Sequence, residues 1–131
     1  MSIAQTQAAH KLEKYGAEIS PHKVISLLME GALERIGQTK SAIQQNNEKD
    51  AELLIEKTTA IVNGLRNSLN MDAGGAIAIN LEKLYEYMVE RLHNLDGPER
   101  VASLDEIAEL IQEIKAGWDG IQAAQEVAQA S

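Results

Sequence analysis

The sequence predicts an all-α fold: an antiparallel up-down-up-down four-helix bundle with a short N-terminal arm packed against it. Apolar residues recur at spacings of three and four in four separate segments, and no strand-like alternation occurs between them. Hydrophobic residues make up 44% of the chain but aromatic residues only 3%, so the core must be largely aliphatic. Because the connections are short, successive helices should pack antiparallel.

The first helix has the clearest start. Ser20 can accept a hydrogen bond from a first-turn amide, and Pro21 suits the first helical position because its missing N–H would be unpaired there anyway. We expect this helix to run to about Gln45. Its apolar side consists of Val24, Ile25, Leu28, Met29, Ala32, Leu33 and Ile36.

Asn47, followed by Asp50, predicts the N-terminal cap of the second helix. We expect this helix to end near Asn70. Its apolar side consists of Leu54, Ile61, Val62, Leu65 and Leu69.

The glycines of Gly74-Gly75 predict a turn before the third helix, because glycine adopts backbone angles that other residues resist. Pro98 should end the segment that follows. Tyr85 should flank the core, and Tyr87 should be more exposed. The expected apolar face is Ile77, Leu81, Leu84 and Met88, extended through Leu92 and Leu95.

Ser103 and Glu106 form a capping-box pattern that predicts the start of the fourth helix. The bundle should therefore span residues 20–121, and the Ala/Gln-rich tail 122–131 should fray. The apolar stripe of this helix consists of Ile107, Leu110, Ile111, Ile114, Trp118 and Ile121.

The arm, residues 1–19, repeats apolar residues at spacings of four, three and four, at Ala8, Leu12, Tyr15 and Ile19. This pattern is typical of one or two amphipathic helical turns, which are marginal alone. We expect the arm to lie against the bundle as a lid over an apolar groove.

Charge and composition exclude several classes of function. The formal net charge of −8 argues against nucleic-acid binding, which requires clustered Lys and Arg. Without cysteine there is neither a disulfide framework nor a thiolate metal site. No export leader and no 18-residue apolar stretch is apparent, so we expect a cytoplasmic protein without membrane insertion.

Catalytic and metal-binding patterns are weak. Glu90 and His93 have the Glu-x-x-His spacing of a ferritin-like metal site, but a second such motif is missing. Gly74-Gly75 lacks the surrounding sequence of a phosphate-binding loop. We therefore expect no metal, no cofactor and no enzymatic activity, and keep a metal-binding bundle only as a distant alternative.

Apolar residues outside the predicted core stripes suggest grooves that receive another amphipathic helix. Leu27 and Gly31 lie one turn apart on the far side of the first helix, and Ile79 lies among charged residues on the third. The predicted partner-binding set, which adds residues of the arm and of the second helix, is Leu12, Tyr15, Ile19, Leu27, Gly31, Leu53, Ala60, Gly64, Ile79 and Tyr87.

Several motifs occur in a characteristic order. Tyr15 is followed by SPHKVISLLMEGAL, then by AIVNGLRNSLNMDAGGAIAINLEKLYEYMVERL, and finally by IKAGWDGI. In this order they resemble the FliS family of flagellin export chaperones from Tyr15 to Ile121. The chain departs from the family pattern at three places: Met29 replaces a tyrosine, Ala76 follows the double glycine in place of glutamate, and Asn70 replaces aspartate.

The resemblance implies a cytoplasmic chaperone that binds the disordered C-terminal segment of flagellin. It also implies that the chaperone prevents premature polymerisation and helps deliver flagellin to the flagellar export gate, with other flagellar proteins as further partners. A regulatory binder of another flagellar protein, such as an anti-sigma factor, remains an alternative.

Overall fold

The computed structural model describes residues 20–69 and 71–130, with side chains described outside 71–74 and 122–130. Within these ranges there are four α-helices and a short 3₁₀ turn, Gly97–Glu99, before the last helix, so the all-α prediction is confirmed. The arm, including Leu12, Tyr15 and Ile19, lies outside the described residues. The helices are α1, Pro21–Gln44; α2, Glu48–Asn67; α3, Met71–His93; and α4, Arg100–Ala130.

The four helices form a ring in the order α3, α2, α1, α4. Close backbone contacts join α1 to α2 and to α4, and join α3 to α2 and to α4. The connections are short, so helices that follow each other in sequence run antiparallel. The α1–α2 contact is the most extensive, and the α3–α4 contact is the smallest.

Two predicted helix caps are confirmed. The Ser20 side chain accepts a hydrogen bond from the backbone N–H of Lys23 at 3.2 Å. The Asn47 side chain accepts one from the backbone N–H of Asp50, also at 3.2 Å. Each cap satisfies an amide that has no partner within its own helix, which is why these sites were readable from local sequence.

The glycine turn before α3 is confirmed at Gly75. Its backbone angles, φ 55° and ψ −132°, interrupt the helix, so that Met71–Gly74 forms a helical turn set off by a kink from the rest of α3. Only glycine adopts such angles readily. The predicted apolar face is wrong at Ile77, which is 71% exposed.

The reason for the exposure of Ile77 is its direction around the helix. Ala78 lies only one residue further along the axis and is buried, so the covered side of α3 at this level is the side of Ala78. Tyr85, expected only to flank the core, lies inside it.

The capping box predicted for α4 is wrong. The helix begins at Arg100, because the Gly97–Glu99 turn leads directly into it, so Ser103 and Glu106 already lie within the helix. Both side chains instead bond to Arg91 of α3. Residues that match a capping pattern in the sequence can therefore form contacts between helices instead.

The core is aliphatic, as expected, and also holds three small polar residues that we did not predict. Thr39 and Thr58 donate their hydroxyl protons to carbonyls one turn earlier, Arg35 and Leu54, so burial leaves neither hydroxyl unpaired. The fully enclosed side chains are Met29, Ala32, Ile36, Val62, Leu65, Tyr85, Met88, Leu92, Leu104, Ile107 and Ile111.

The far end of α4 extends further than predicted, because its helical backbone continues to Ala130. Ile121 was expected on the buried stripe but is half exposed, so that prediction is wrong. Trp118 contacts His22, the second residue of α1, and Ile121 lies almost one turn further along α4. Ile121 therefore lies near the N-terminal end of α1, where that helix covers little of α4.

Candidate functional site

The most exposed large apolar side chains lie at different places on the bundle. Ile77 and Ile79 are near the α2–α3 turn, whereas Leu53 is near the opposite end of α2. Ile79 is 45% exposed, which confirms that it projects away from the core. Tyr87 and Ile121 lie on α3 and α4. The apolar surface is therefore spread over several helices.

Leu53, Ala60 and Gly64 are all exposed along α2. Their spacings of seven and four residues place them on one side of the helix, over a length of about 16 Å. A Cβ atom built at Gly64 would meet no atom within 4 Å. This side of α2 is therefore open and shallow, and the exposed Lys57 lies on it between Leu53 and Gly64.

Leu27 and Gly31 are less exposed than expected, since both are half-buried. A Cβ atom built at Gly31 would lie 3.8 Å from Cδ1 of Ile61, so Gly31 faces α2. The expectation that Gly31 stands on the far side of α1 is wrong. An added Cβ would make an ordinary van der Waals contact at this distance, so the space beside Gly31 is enough for a methyl group.

Tyr87 is exposed, as predicted, but it is also tied to α4. Its hydroxyl donates a hydrogen bond to Glu106, and the guanidinium of Arg91 lies 5.9 Å from the centre of its ring. The hydrogen bond to the carboxylate raises the pKa of Tyr87, because losing the proton would place two negative charges side by side. Any partner at Tyr87 would therefore meet this polar network.

The start of α1 is joined to the end of α4 by polar contacts. The buried Ser26 hydroxyl donates to Asp119 at 2.8 Å, and the Trp118 indole N–H donates to the carbonyl of His22 at 2.9 Å. Lys115 pairs with Asp119 at 2.8 Å, which lowers the pKa of Asp119 and raises that of Lys115. The two hydrogen bonds join α4 to α1 beyond the aliphatic core, whereas the Lys115–Asp119 pair lies within α4.

One concave feature was missed by the sequence analysis. A groove of about 460 Å³ lies between the second half of α1 and the first half of α2. Its lining is mixed in polarity, with Leu33, Gly37, Ala42 and Leu54 beside the polar or charged residues Glu34, Gln38, Ser41, Gln45, Asn47 and Asp50. No specific signal for it was available in the sequence, because glycines also lie inside helices at Gly31, Gly64, Gly117 and Gly120.

The geometry gives little support for metal chemistry. Glu90 and His93 are both exposed on α3. No cluster of three or more potential metal ligands occurs among the described residues. In the same ranges, none of the helices combines the length and apolar character needed to cross a membrane.

Comparison with known proteins identifies relatives of this chain. The family model described as "Flagellar protein FliS" matches residues 3–125. The chain is 40% identical over 110 residues to the flagellar secretion chaperone FliSB of Pseudomonas aeruginosa, covering 84% of this chain and 87% of the relative. It is 41% identical over 102 residues to FliS of Vibrio cholerae, covering 78% and 75%. A third relative, FliS of Salmonella typhimurium, is 31% identical over 103 residues, covering 78% and 76%. The chain therefore belongs to the FliS family of flagellar secretion chaperones.

Proposed function

We propose that this protein is a cytoplasmic chaperone that binds the disordered C-terminal segment of flagellin. Binding prevents flagellin from polymerising inside the cell and assists its delivery to the flagellar export gate. The observation that carries the proposal is the set of residues without a polar side chain that are left exposed on an acidic helical bundle: Leu53, Ala60 and Gly64 of α2 and Ile79 of α3. Family membership supports the same conclusion.

The shape of this surface favours a helical client. The exposed side of α2 is shallow, because Ala60 and Gly64 have little or no side chain. An amphipathic helix can lay its own apolar side chains on such a surface, which is a recurring mode of peptide recognition. A segment that is disordered before binding would become ordered as it docks. The free energy gained by burying apolar surface must therefore exceed the cost of the conformational entropy that the segment loses.

In the proposed function the arm acts as a lid over an apolar groove. Residues 1–19 carry the apolar repeat Ala8, Leu12, Tyr15 and Ile19 and immediately precede α1. A lid over an apolar groove would conceal surface that otherwise promotes aggregation and would leave when the client arrives. Hydrogen exchange tests this: amides of the arm should exchange faster with flagellin bound. Equal exchange in both states, with unchanged affinity after deletion of the arm, would exclude the lid.

Calorimetric titration with monomeric flagellin from the same cells is the primary test. We expect saturable binding with a large negative heat-capacity change, because binding buries apolar surface and orders the client. Affinity should change little with salt. A loss of tenfold or more between low and moderate salt would show that charge pairing dominates, and absence of binding would reject flagellin as the client.

Ile79→Asp offers a sharper test, because Ile79 is exposed and lies outside the core. The change should alter the free energy of unfolding by no more than about 0.5 kcal/mol. It should weaken flagellin binding by on the order of 1 kcal/mol or more if Ile79 contacts the client.

Ile121→Asp is the matched control for Ile79→Asp, since Ile121 is a similarly exposed isoleucine on α4 outside the predicted set. Equal binding by the two variants would remove Ile79 from the site. Loss of the fold in Ile79→Asp, seen in thermal melts, would instead mean that another segment buries Ile79.

A further inference from the structure

Three places in the part of the chain that the structure describes have a glycine directly after an aspartate or asparagine. They are Asn63-Gly64 in α2, Asp96-Gly97 in the connection before α4, and Asp119-Gly120 in α4. At such a pair the backbone nitrogen of the glycine can attack the side-chain carbonyl carbon of the preceding residue, because glycine has no Cβ to obstruct the approach. The local structure of each pair decides whether this attack can occur.

The two helical pairs are held apart by their helices. Gly64 and Gly120 lie inside α2 and α4, where a backbone N–H donates to a carbonyl one turn earlier and the backbone angles are fixed. Asp119 is held further, because its carboxylate accepts a hydrogen bond from Ser26 at 2.8 Å and pairs with Lys115 at 2.8 Å. Attack at either pair therefore requires the helix to open first.

The Asp96-Gly97 pair has no such restraint. Both residues are exposed, and the Asp96 side chain makes no capping hydrogen bond to the turn that follows. Among the described residues, the Gly97 N–H donates to no backbone carbonyl, and the Asp96 carboxylate is in no ion pair. With ψ of Asp96 at 150°, the peptide must rotate before the nitrogen meets the carboxyl carbon. Gly97, at φ 67°, permits this rotation because glycine accepts φ of either sign.

We propose that Asp96-Gly97 is a site of spontaneous aspartate isomerisation in the folded protein. The Gly97 nitrogen bonds to the carbon of the protonated Asp96 carboxyl group and loses its proton, and the carboxyl hydroxyl leaves with that proton as water. The product is a succinimide ring.

The ring then opens by addition of water to one of its two carbonyl carbons. Addition at the side-chain carbon of residue 96 restores aspartate. Addition at the backbone carbon breaks the bond between that carbon and the nitrogen of Gly97, and leaves isoaspartate. Water is the only co-reactant, and no group is oxidised or reduced.

Isoaspartate would change the chain at a defined place. Its main chain passes through the former side-chain carbon, so the connection between α3 and α4 becomes longer. Arg100, the first residue of α4, lies just beyond this connection and binds Glu48 of α2 through both terminal guanidinium nitrogens, with Nη1 2.7 Å from Oε2. The Gly97–Glu99 turn contains no buried residue, so the bundle should stay folded and the change should remain confined to the turn and this ion pair.

Incubation of the full folded chain in heavy-oxygen water at neutral pH for several weeks tests the proposal. Each hydrolysis of a succinimide places one heavy oxygen atom in the residue, and trypsin, used afterwards in ordinary water, releases the three pairs in peptides 58–66, 92–100 and 116–131. Mass spectrometry measures the label. We expect Asp96 to gain it at least about tenfold faster than Asp119, because α4 must open before Asp119 can react.

Two controls separate the chemistry of the pairs from the effect of the fold. In concentrated urea all three pairs should react, with Asn63 fastest, because an amide loses ammonia more readily than a carboxyl group loses water. The Asp96→Glu variant keeps the charge but disfavours the ring, so its peptide 92–100 should stay unlabelled. Equal labelling of Asp96 and Asp119 in the folded chain would overturn the role of the fold, and absence of label at Asp96 would overturn the site itself.

Discussion

The α1–α2 and α3–α4 interfaces join helices in different ways. At the α1–α2 interface the backbones approach closely over a long stretch, and Gly31 leaves room for Ile61. At the α3–α4 interface close backbone contact is small, and long polar side chains bridge the helices. Arg91 reaches Ser103 at 3.1 Å and Glu106 at 3.4 Å, and Tyr87 also bonds to Glu106.

The two interfaces therefore join neighbouring helices by different kinds of contact. Gly31 lies against Ile61, where an added Cβ would make only an ordinary contact but a longer side chain must displace Ile61 or a backbone. Arginine, tyrosine and glutamate can change rotamer without moving their helices, so the α3–α4 interface can absorb small changes. Core residues of all four helices stabilise the bundle, whereas the structure of these two interfaces determines how well each side of the bundle tolerates larger side chains.

The largest expected effect is at the α1–α2 interface. Gly31→Leu should lower the free energy of unfolding by about 1–3 kcal/mol, because the larger side chain must displace Ile61 or the helix behind it. Denaturant unfolding measures this change.

Gly31→Ala is the matched control, because its Cβ would lie at an ordinary contact distance of 3.8 Å from Ile61. This variant should be as stable as the unaltered protein, or more stable by up to about 1 kcal/mol from helix propensity. A Gly31→Leu variant with undiminished stability would show that the α1–α2 interface is no tighter than the α3–α4 interface.

Alkaline pH should lower the free energy of unfolding through Tyr85 of α3. Burial raises the pKa of Tyr85 to about 12, so the folded state holds this proton more tightly than the unfolded chain does. The resulting stability is fully present below the unfolded pKa of about 10 and is lost as pH rises towards 12. We expect a loss on the order of 1 kcal/mol across that range.

Unfolding measured between pH 8 and pH 12 tests the role of Tyr85. The Tyr85→Phe variant should show a shallower loss, because it has no buried phenol to ionise. Tyr87→Phe is the control: its hydrogen bond to Glu106 also raises the pKa of Tyr87, but the side chain is exposed. Identical pH profiles for Tyr85→Phe and the unaltered chain would contradict the prediction.

The smallest effect is expected for the polar bridge between α3 and α4. Arg91→Met keeps much of the length of the side chain and removes its charge, and should cost about 1 kcal/mol or less, because both partners are partly exposed. A double-mutant cycle with Glu106→Gln should give a coupling energy of about 0.2–1 kcal/mol. A coupling above about 2 kcal/mol would mean that this bridge is a principal support of the interface.

Local features of the chain were predictable because their causes are local. Ser20 and Asn47 cap helices through bonds to amides three residues away, and Gly75 takes a backbone angle that few other residues accept. The same local rule failed at Ser103, where Glu106 follows at the capping spacing but both side chains bond to Arg91. A sequence pattern cannot show whether a more distant residue will compete for the same side chain.

The binding surface was predictable only in part. A helical wheel indicates the direction of a side chain, so the exposure of Ile79 and Tyr87 was predicted correctly. It does not indicate which side of a helix its neighbours cover or how far they extend, so Ile77 and Ile121 were assigned to the core although both are exposed. The groove between α1 and α2 depends on the side chains of two helices together, and Gly37 alone did not reveal it.

By itself the sequence determined the helical class, the helix caps at Ser20 and Asn47, the glycine turn and the family of this protein, because periodicity, capping and motif order are properties of the chain. Only the tertiary structure decided how far each helix covers its neighbours, that Gly31 lies against Ile61, and that a groove remains beside Gly37. The physical reason is that burial depends on how the helices are rotated and shifted relative to one another. That arrangement is set by packing between residues far apart in sequence.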